Sequence, residues 1–274
     1  MKWCWFLACL LGTSPASANG EQCGIDQPCR VAGGEYFLAV PDSWDGSSAL
    51  PAIMFYHGHR SSGDRVISSN GLREAFLASG YAIIAPNGAA REPDGVRAWP
   101  ARPSLQDRRD DVAFSLAVID DVAGRLPLDP NRLLVSGFSA GGSMAWMMAC
   151  YQGQKFAGFV SVAGALRRPI PDGTCPAGPV RLLHIHGFTD KQVPLEGRAI
   201  RDWHQGSVSE SLSLLRQTNK CRSNPDHIIH EPLYSCRHWT SCEGGTVHFC
   251  LHDGGHGMPI GWAQKAKMWF ENGH

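Results

Sequence analysis

Apolar residues in this chain fall into short unbroken runs, separated by longer stretches in which they recur every three or four positions. "PAIMFYHG" (51–58), "YAIIAPNG" (81–88), "NRLLVSGF" (131–138), "FAGFVSVAGA" (156–165) and "VRLLHIHG" (180–187) are apolar runs of strand length. Strands that bury both faces read this way, as in a parallel sheet. "GEYFLAVP" (34–41) alternates instead, which predicts a half-buried strand. Residues 71–80 have helical spacing and a glycine stop. Residues 107–126 predict a long helix with Val112, Leu116, Ile119, Val122 and Leu126 on one stripe. "AGGSMAWMMACYQ" (140–152) predicts a helix with an apolar face, and residues 261–274 one that buries Trp262, Ala266, Trp269 and Phe270. Strands alternating with helices give an α/β class: one doubly wound, mostly parallel sheet with helices on both faces. Ligands of such sheets bind beyond the carboxyl ends of the strands. The chemistry is therefore expected at His57-Gly58-His59, Ser139, Asp190 and the loop carrying His256.

The first eighteen residues, "MKWCWFLACLLGTSPASA", break the pattern. One lysine, a short apolar run and small residues at Ala16 and Ala18 predict a secretory signal. The run is too short for a bilayer, which needs about 20 helical residues. This leaves residues 19–274 as a single catalytic domain in a secreted or periplasmic protein, with no membrane span after signal removal. Export changes how the cysteines read. Ten occur in the chain, and Cys23, Cys29, Cys150, Cys175, Cys221, Cys236, Cys242 and Cys250 follow the signal. An even number in an exported chain predicts disulfides. The expected pairs are Cys23 with Cys29 and Cys150 with Cys175, with two bridges among the last four. Zinc among Cys236, His238, Cys242 and His248 is the competing reading, and the lack of a CxxC pair counts against it. Charge adds an exclusion: Lys+Arg and Asp+Glu number 25 each, so no net field draws the chain to nucleic acid or anionic membrane.

The most specific local signal is Gly137-Phe138-Ser139-Ala140-Gly141, a G-x-S-x-G between a buried strand and a small-residue helix. In that setting the serine takes a strained turn that lifts its hydroxyl clear of the backbone. A neutral serine needs a base. "FCLHDGGHGMP" supplies His256 in a glycine-rich loop, with His252 as rival. The imidazole needs an orienting carboxylate. Asp190 follows a strand in "HIHGFTD"; Asp202, Asp226 and Asp253 are rivals. The order Ser139, Asp190, His256 is that of an α/β-hydrolase. The Ala140 N–H is the first expected oxyanion donor, and His59 N–H, with Arg60 as rival, the second. Trp99, Trp203 and Trp239 are candidate walls for an acyl group. The chemistry calls for no metal and no cofactor.

"FYHGHRSSG", "APNG", "DDVAFSLAVID", "VSGFSAGGSMAWMMAC", "FVSVAG", "HIHGFTD" and "DGGHGMP" together resemble the secreted esterase family of polyhydroxybutyrate depolymerases and feruloyl esterases, over nearly the whole chain after the signal. The resemblance implies an α/β-hydrolase fold and a Ser139–Asp190–His256 triad. It also implies a Cys150–Cys175 bridge and one closing the segment from Cys221 to Cys242. Many members carry a cysteine where this chain has His59; the contribution expected there is a backbone N–H. The implied function is serine-dependent hydrolysis of feruloyl-type or polyhydroxyalkanoate-type esters through an acyl-enzyme, with a small or oligomeric ester as partner. A non-catalytic exported binding protein on the same fold is the alternative.

Overall fold

Ten strands form one twisted sheet in a computed structural model that describes residues 23–91, 93–102, 108–201 and 203–273. The expected signal (1–18) and the rival Asp202 lie outside the described residues. In chain order the strands are β1 (Cys29–Val31), β2 (Gly34–Ala39), β3 (Leu50–Tyr56), β4 (Ala82–Pro86) and β5 (Leu128–Phe138), then β6 (Gly158–Val162), β7 (Arg181–Gly187), β8 (His227–Glu231), β9 (Tyr234–Trp239) and β10 (Thr246–His252). Across the sheet they lie in the order β1-β2-β4-β3-β5-β6-β7-β10-β9-β8. From β4 through β10 the pairs are parallel, and both margins are antiparallel. β3, β6 and β7 are buried along most of their lengths, and β5 is buried from Leu133 to Gly137, as unbroken apolar runs require. The fold is that of an α/β-hydrolase.

Helices cover both faces, and two differ from their sequence reading. The predicted 107–126 helix is α3 (Asp111–Arg125), and it starts late because Asp110 caps it. The Asp110 carboxylate accepts from the N–H groups of Val112 and Ala113, both at 3.0 Å. Its buried stripe is centred on Phe114, Val118 and Val122; Val112, Leu116, Ile119 and Leu126 are only partly buried. The helix turns so that Phe114, the largest apolar side chain available, goes inward. α4 (Ala140–Gln152) has no polar side: every residue from Ala140 to Cys150 is buried. α6 (Trp262–Asn272) buries Trp262, Ala266, Trp269 and Phe270 as its spacing predicts. The short helices α1 (Gly63–Ile67) and α2 (Asn70–Ala75) precede β4, and α5 (Val208–Thr218) follows β7.

The segment between Asp190 and His256 is in large part an extension of the sheet. It contributes α5, the β8–β9 hairpin and β10, which pairs with β7. Bridges join Cys221 to Cys242 and Cys236 to Cys250 across this margin. Cys23–Cys29 and Cys150–Cys175 are the other two. Cys236, His238 and Cys250 cluster closely enough to hold a metal. Both sulfurs are spent in one disulfide, so neither thiolate is free to ligate. No described helix is long and apolar enough to cross a membrane.

Candidate active site

β3 lies between β4 and β5, so the chain reverses its order across the sheet at this point. Crevices open at such reversals, and the turn from β5 to α4 sits there. Ser139 occupies it with φ 57° and ψ −116°, a conformation costing on the order of 1–3 kcal/mol for a residue with a side chain. The neighbouring glycines are steric necessities. A Cβ on Gly137 would lie 2.2 Å from the Gly141 carbonyl oxygen, and one on Gly141 would lie 2.0 Å from the Tyr56 oxygen. The serine N–H donates to Val162 O at 2.9 Å, which ties the turn to β6.

His256 Nε2 lies 2.8 Å from Ser139 Oγ, and its Nδ1 lies 2.7 Å from Asp190 Oδ2. The loops carrying these two residues are laced together: Phe188 N–H donates to His252 O at 2.8 Å and Thr189 N–H to Gly254 O at 3.2 Å. Asp190 is buried, yet its second oxygen accepts from the N–H groups of Gln192 (2.8 Å) and Val193 (2.9 Å). Burial opposes the charge, but the hydrogen bonds from His256, Val193 and Gln192 outweigh it and hold the carboxyl below the usual carboxylate range. Two of the rivals are occupied elsewhere. His252 Nδ1 accepts from Gly254 N–H at 3.1 Å, and Asp226 caps the backbone of Thr240 and Ser241.

Beneath Asp190 runs a chain of neutral rings that sequence reasoning missed. The Trp146 indole can only donate, and it lies 3.3 Å from His184 Nδ1. His184 therefore carries its proton on Nε2 and donates to His186 Nδ1 at 3.0 Å. His186 Nε2–H in turn donates to Val193 O at 2.8 Å, fixing the residue whose N–H holds Asp190. Burial lowers the pKa of both histidines, in keeping with neutral rings. The "HIH" of β7 shows alternation in sequence, but its pairing to a tryptophan on α4 is a tertiary contact.

On the other side of Ser139, His57 anchors the loop after β3. Gly88 N–H donates to its Nε2 at 2.9 Å, so the proton sits on Nδ1 and is donated to Gly58 O at 2.7 Å. Burial pushes its pKa down to about 4, so the ring is neutral. Arg60 N–H donates to Arg97 O at 3.0 Å, which engages the rival oxyanion donor. His59 and Ala140 both border the same cavity as Ser139.

The BD-FAE family model matches residues 40–165, from the end of β2 through the serine turn to just beyond β6. Feruloyl esterase B of Piromyces equi is 29% identical over 238 residues, covering 82% of this chain but only 43% of its own length. Feruloyl esterase C of Emericella nidulans is 27% identical over 256 residues, covering 91% of this chain and 84% of its own. Among solved structures, the acetyl xylan esterase from Aspergillus awamori superposes with a TM-score of 0.66 at 14% identity, over 87% of this chain and 94% of that one. At that identity the likeness speaks for the fold.

The chain is similar to esterases, and its fold is that of an α/β-hydrolase.

A cavity of about 950 Å³ opens at Ser139. That volume suits a small organic ester. Of the three tryptophans singled out by sequence, Trp99 and Trp203 line the cavity. Trp99 is fully buried and donates its indole N–H to His57 O at 3.0 Å, so it is both wall and scaffold. Trp203 is half-buried. Trp239 corrects the third expectation: it sits in the core at the end of β9, under the Arg216 guanidinium at 4.9 Å, and does not line the cavity. The residues that sequence reasoning missed here are arginines, drawn from several distant segments.

Proposed function

We propose that this chain is an exported serine esterase in which Ser139, His256 and Asp190 form the catalytic triad. The observation that carries the reading is the unbroken hydrogen-bonded relay from Ser139 Oγ through both imidazole nitrogens to Asp190. His256 takes the Ser139 proton as Oγ attacks the ester carbonyl carbon. The tetrahedral oxyanion is received by the backbone N–H groups of Ala140 and His59. His256 returns the proton to the leaving alkoxide, which departs as the alcohol and leaves an acyl-serine. A water, deprotonated by the same imidazole, then attacks the acyl carbon, and the acid and free Ser139 are released. Asp190, held ionised by its hydrogen bonds, orients the ring and stabilises it when protonated. No cofactor enters the cycle.

The feruloyl esterases among the relatives, together with the Trp99 and Trp203 walls, favour an aromatic acyl group stacked in the cavity. Export is supported by the N-terminal sequence pattern and by the four disulfides. Ser139→Ala is expected to abolish hydrolysis of 4-nitrophenyl acetate and methyl ferulate while circular dichroism stays unchanged. Retained turnover in that variant would remove Ser139 from the mechanism. Faster release of 3-hydroxybutyrate from short oligomers than of ferulate from methyl ferulate would move the substrate to the hydroxyalkanoate class.

A further inference from the structure

The formal charge of the whole chain is zero, yet the cavity at Ser139 is strongly basic. Seven arginines line it, and among the described residues no aspartate or glutamate does. Two of the seven are neutralised nearby: Arg91 pairs with Asp94, and Arg109 with Asp111 at 2.6 Å. The other five, Arg102, Arg108, Arg167, Arg198 and Arg201, have no carboxylate partner among the described residues. Arg167 is the most telling. It lies beyond β6, in an isolated bridge to Gln205, and donates from one nitrogen to the carbonyl oxygens of Trp99 and Pro100, while its buried Nε has no partner. Its guanidinium lies 4.9 Å from the centre of the Trp203 ring, and that of Arg102 lies 5.3 Å from the same ring. Burial, and then the Arg102 charge, push its pKa down to about 10, so the positive charge is held there at a cost. A purely structural arginine would be expected to find a carboxylate or a full set of acceptors. Asp111 acts on both Arg109 and Arg167; guanidiniums that so outnumber the anions beside them, in a partly enclosed cleft, focus a positive field on whatever enters.

We infer that the substrate carries a free carboxylate besides its ester bond, and that Arg102, Arg167 and Arg198 receive this carboxylate while Ser139 attacks the ester. The inference rests on the cavity being the acyl-transfer pocket of the proposed esterase. Planar forks of paired N–H donors match a carboxylate in two-point contact, which a neutral ester cannot supply. The carboxylate can reside on the acyl half, as in a half-ester of a dicarboxylic acid, or on the alcohol half. The same recognition serves both.

Two matched pairs separate these sources. Mono-(4-nitrophenyl) adipate is compared with 4-nitrophenyl hexanoate, and 3-butyryloxybenzoate with phenyl butyrate, each after subtraction of the spontaneous rate. At least one anionic member is expected to exceed its neutral partner about tenfold or more in kcat/KM, mainly through KM, with the advantage shrinking as salt rises. The pair showing the advantage identifies the half that bears the charge. In Arg102→Gln/Arg198→Gln the ratio of anionic to neutral kcat/KM should fall about tenfold or more, and Arg102→Lys/Arg198→Lys should recover part of it. A readout independent of catalysis is calorimetric binding of adipate to Ser139→Ala, expected with wild-type arginines and weakened at least tenfold by the glutamine pair. If neither ester of a pair is turned over but adipate binds in this arginine-dependent way, the esterase reading fails and the anion site stands. Equal kcat/KM within each pair, together with no adipate binding, would overturn the inference.

Discussion

At Ser139 backbone strain and side-chain chemistry meet in one residue. Its hydroxyl faces His256 because the backbone is held at a positive φ by Gly137, Gly141 and the hydrogen bond to Val162. The acid of the relay depends on two layers of support. Asp190 is fixed by Val193 N–H, and Val193 is fixed by His186. Asp190→Asn keeps the shape but takes away the charge that stabilises a protonated imidazole. We expect kcat to fall by about 10⁴-fold with little change in KM, measured on 4-nitrophenyl acetate. A loss of less than tenfold would mean that Asp190 does not serve His256. At this scale much was legible: a serine framed by glycines, and a histidine in a glycine-rich loop, have few uses other than exposure. Trp239 was not, because an aromatic residue in a strand looks the same in sequence whether it faces a cavity or a core.

The turn from β5 to α4 is the element on which the site depends, and its tolerance is set by backbone approach. Gly141→Ala would drive a methyl group into the Tyr56 carbonyl at the end of β3. Neither backbone can yield without breaking the β3–β5 pairing, so a loss of at least about 3 kcal/mol is expected in urea denaturation. A variant of wild-type stability would show that β3 can move away. Strands read from unbroken apolar runs, such as β3, β4 and β7, stand where their sequence placed them. α3 was rotated because periodicity marks a stripe, whereas the competition between Phe114 and Val112 for the interior is decided by size. The β8–β9 margin escaped the sequence reading for another reason. All five residues of β8 are exposed, so it carries no alternation to detect. The two disulfides that hold this margin define distance in space, which spacing along the chain does not encode.

The whole molecule should respond to acid through its buried histidines. Burial depresses the pKa of His57, His184, His186 and His252. For such a group the unfolded chain binds a proton below about pH 6.5 while the folded protein does not. Stability is therefore complete above pH 6.5 and is lost as pH falls toward the folded value, which for His57 is about 4. His57 alone contributes about 2 kcal/mol of loss by pH 5. Asp190 acts in a lower window: its carboxylate stabilises the fold above the ordinary carboxylate range and ceases to do so only as pH drops through its lowered pKa. Urea midpoints should consequently fall between pH 7 and pH 5, before carboxylates begin to protonate. A flat profile across that interval would mean that these rings are protonated in the folded state.

Global charge also hid something that only the assembled fold reveals. The cavity arginines come from the segments around 91, 102, 109, 167 and 200, each unremarkable in its local sequence, and the balanced totals conceal their convergence. The meeting of Ser139, Asp190 and His256 was inferable because each carries its own local context, whereas the arginines have none.

The most direct measurement of the central claim is covalent labelling of the purified protein with a fluorophosphonate, read by intact mass and peptide mapping. The relay from Asp190 through His256 to Ser139 predicts one adduct per chain, located on Ser139, absent in Ser139→Ala and strongly slowed in His256→Ala. Unlabelled Ser139 in a protein that still hydrolyses esters, or stoichiometric labelling at another residue, would contradict it.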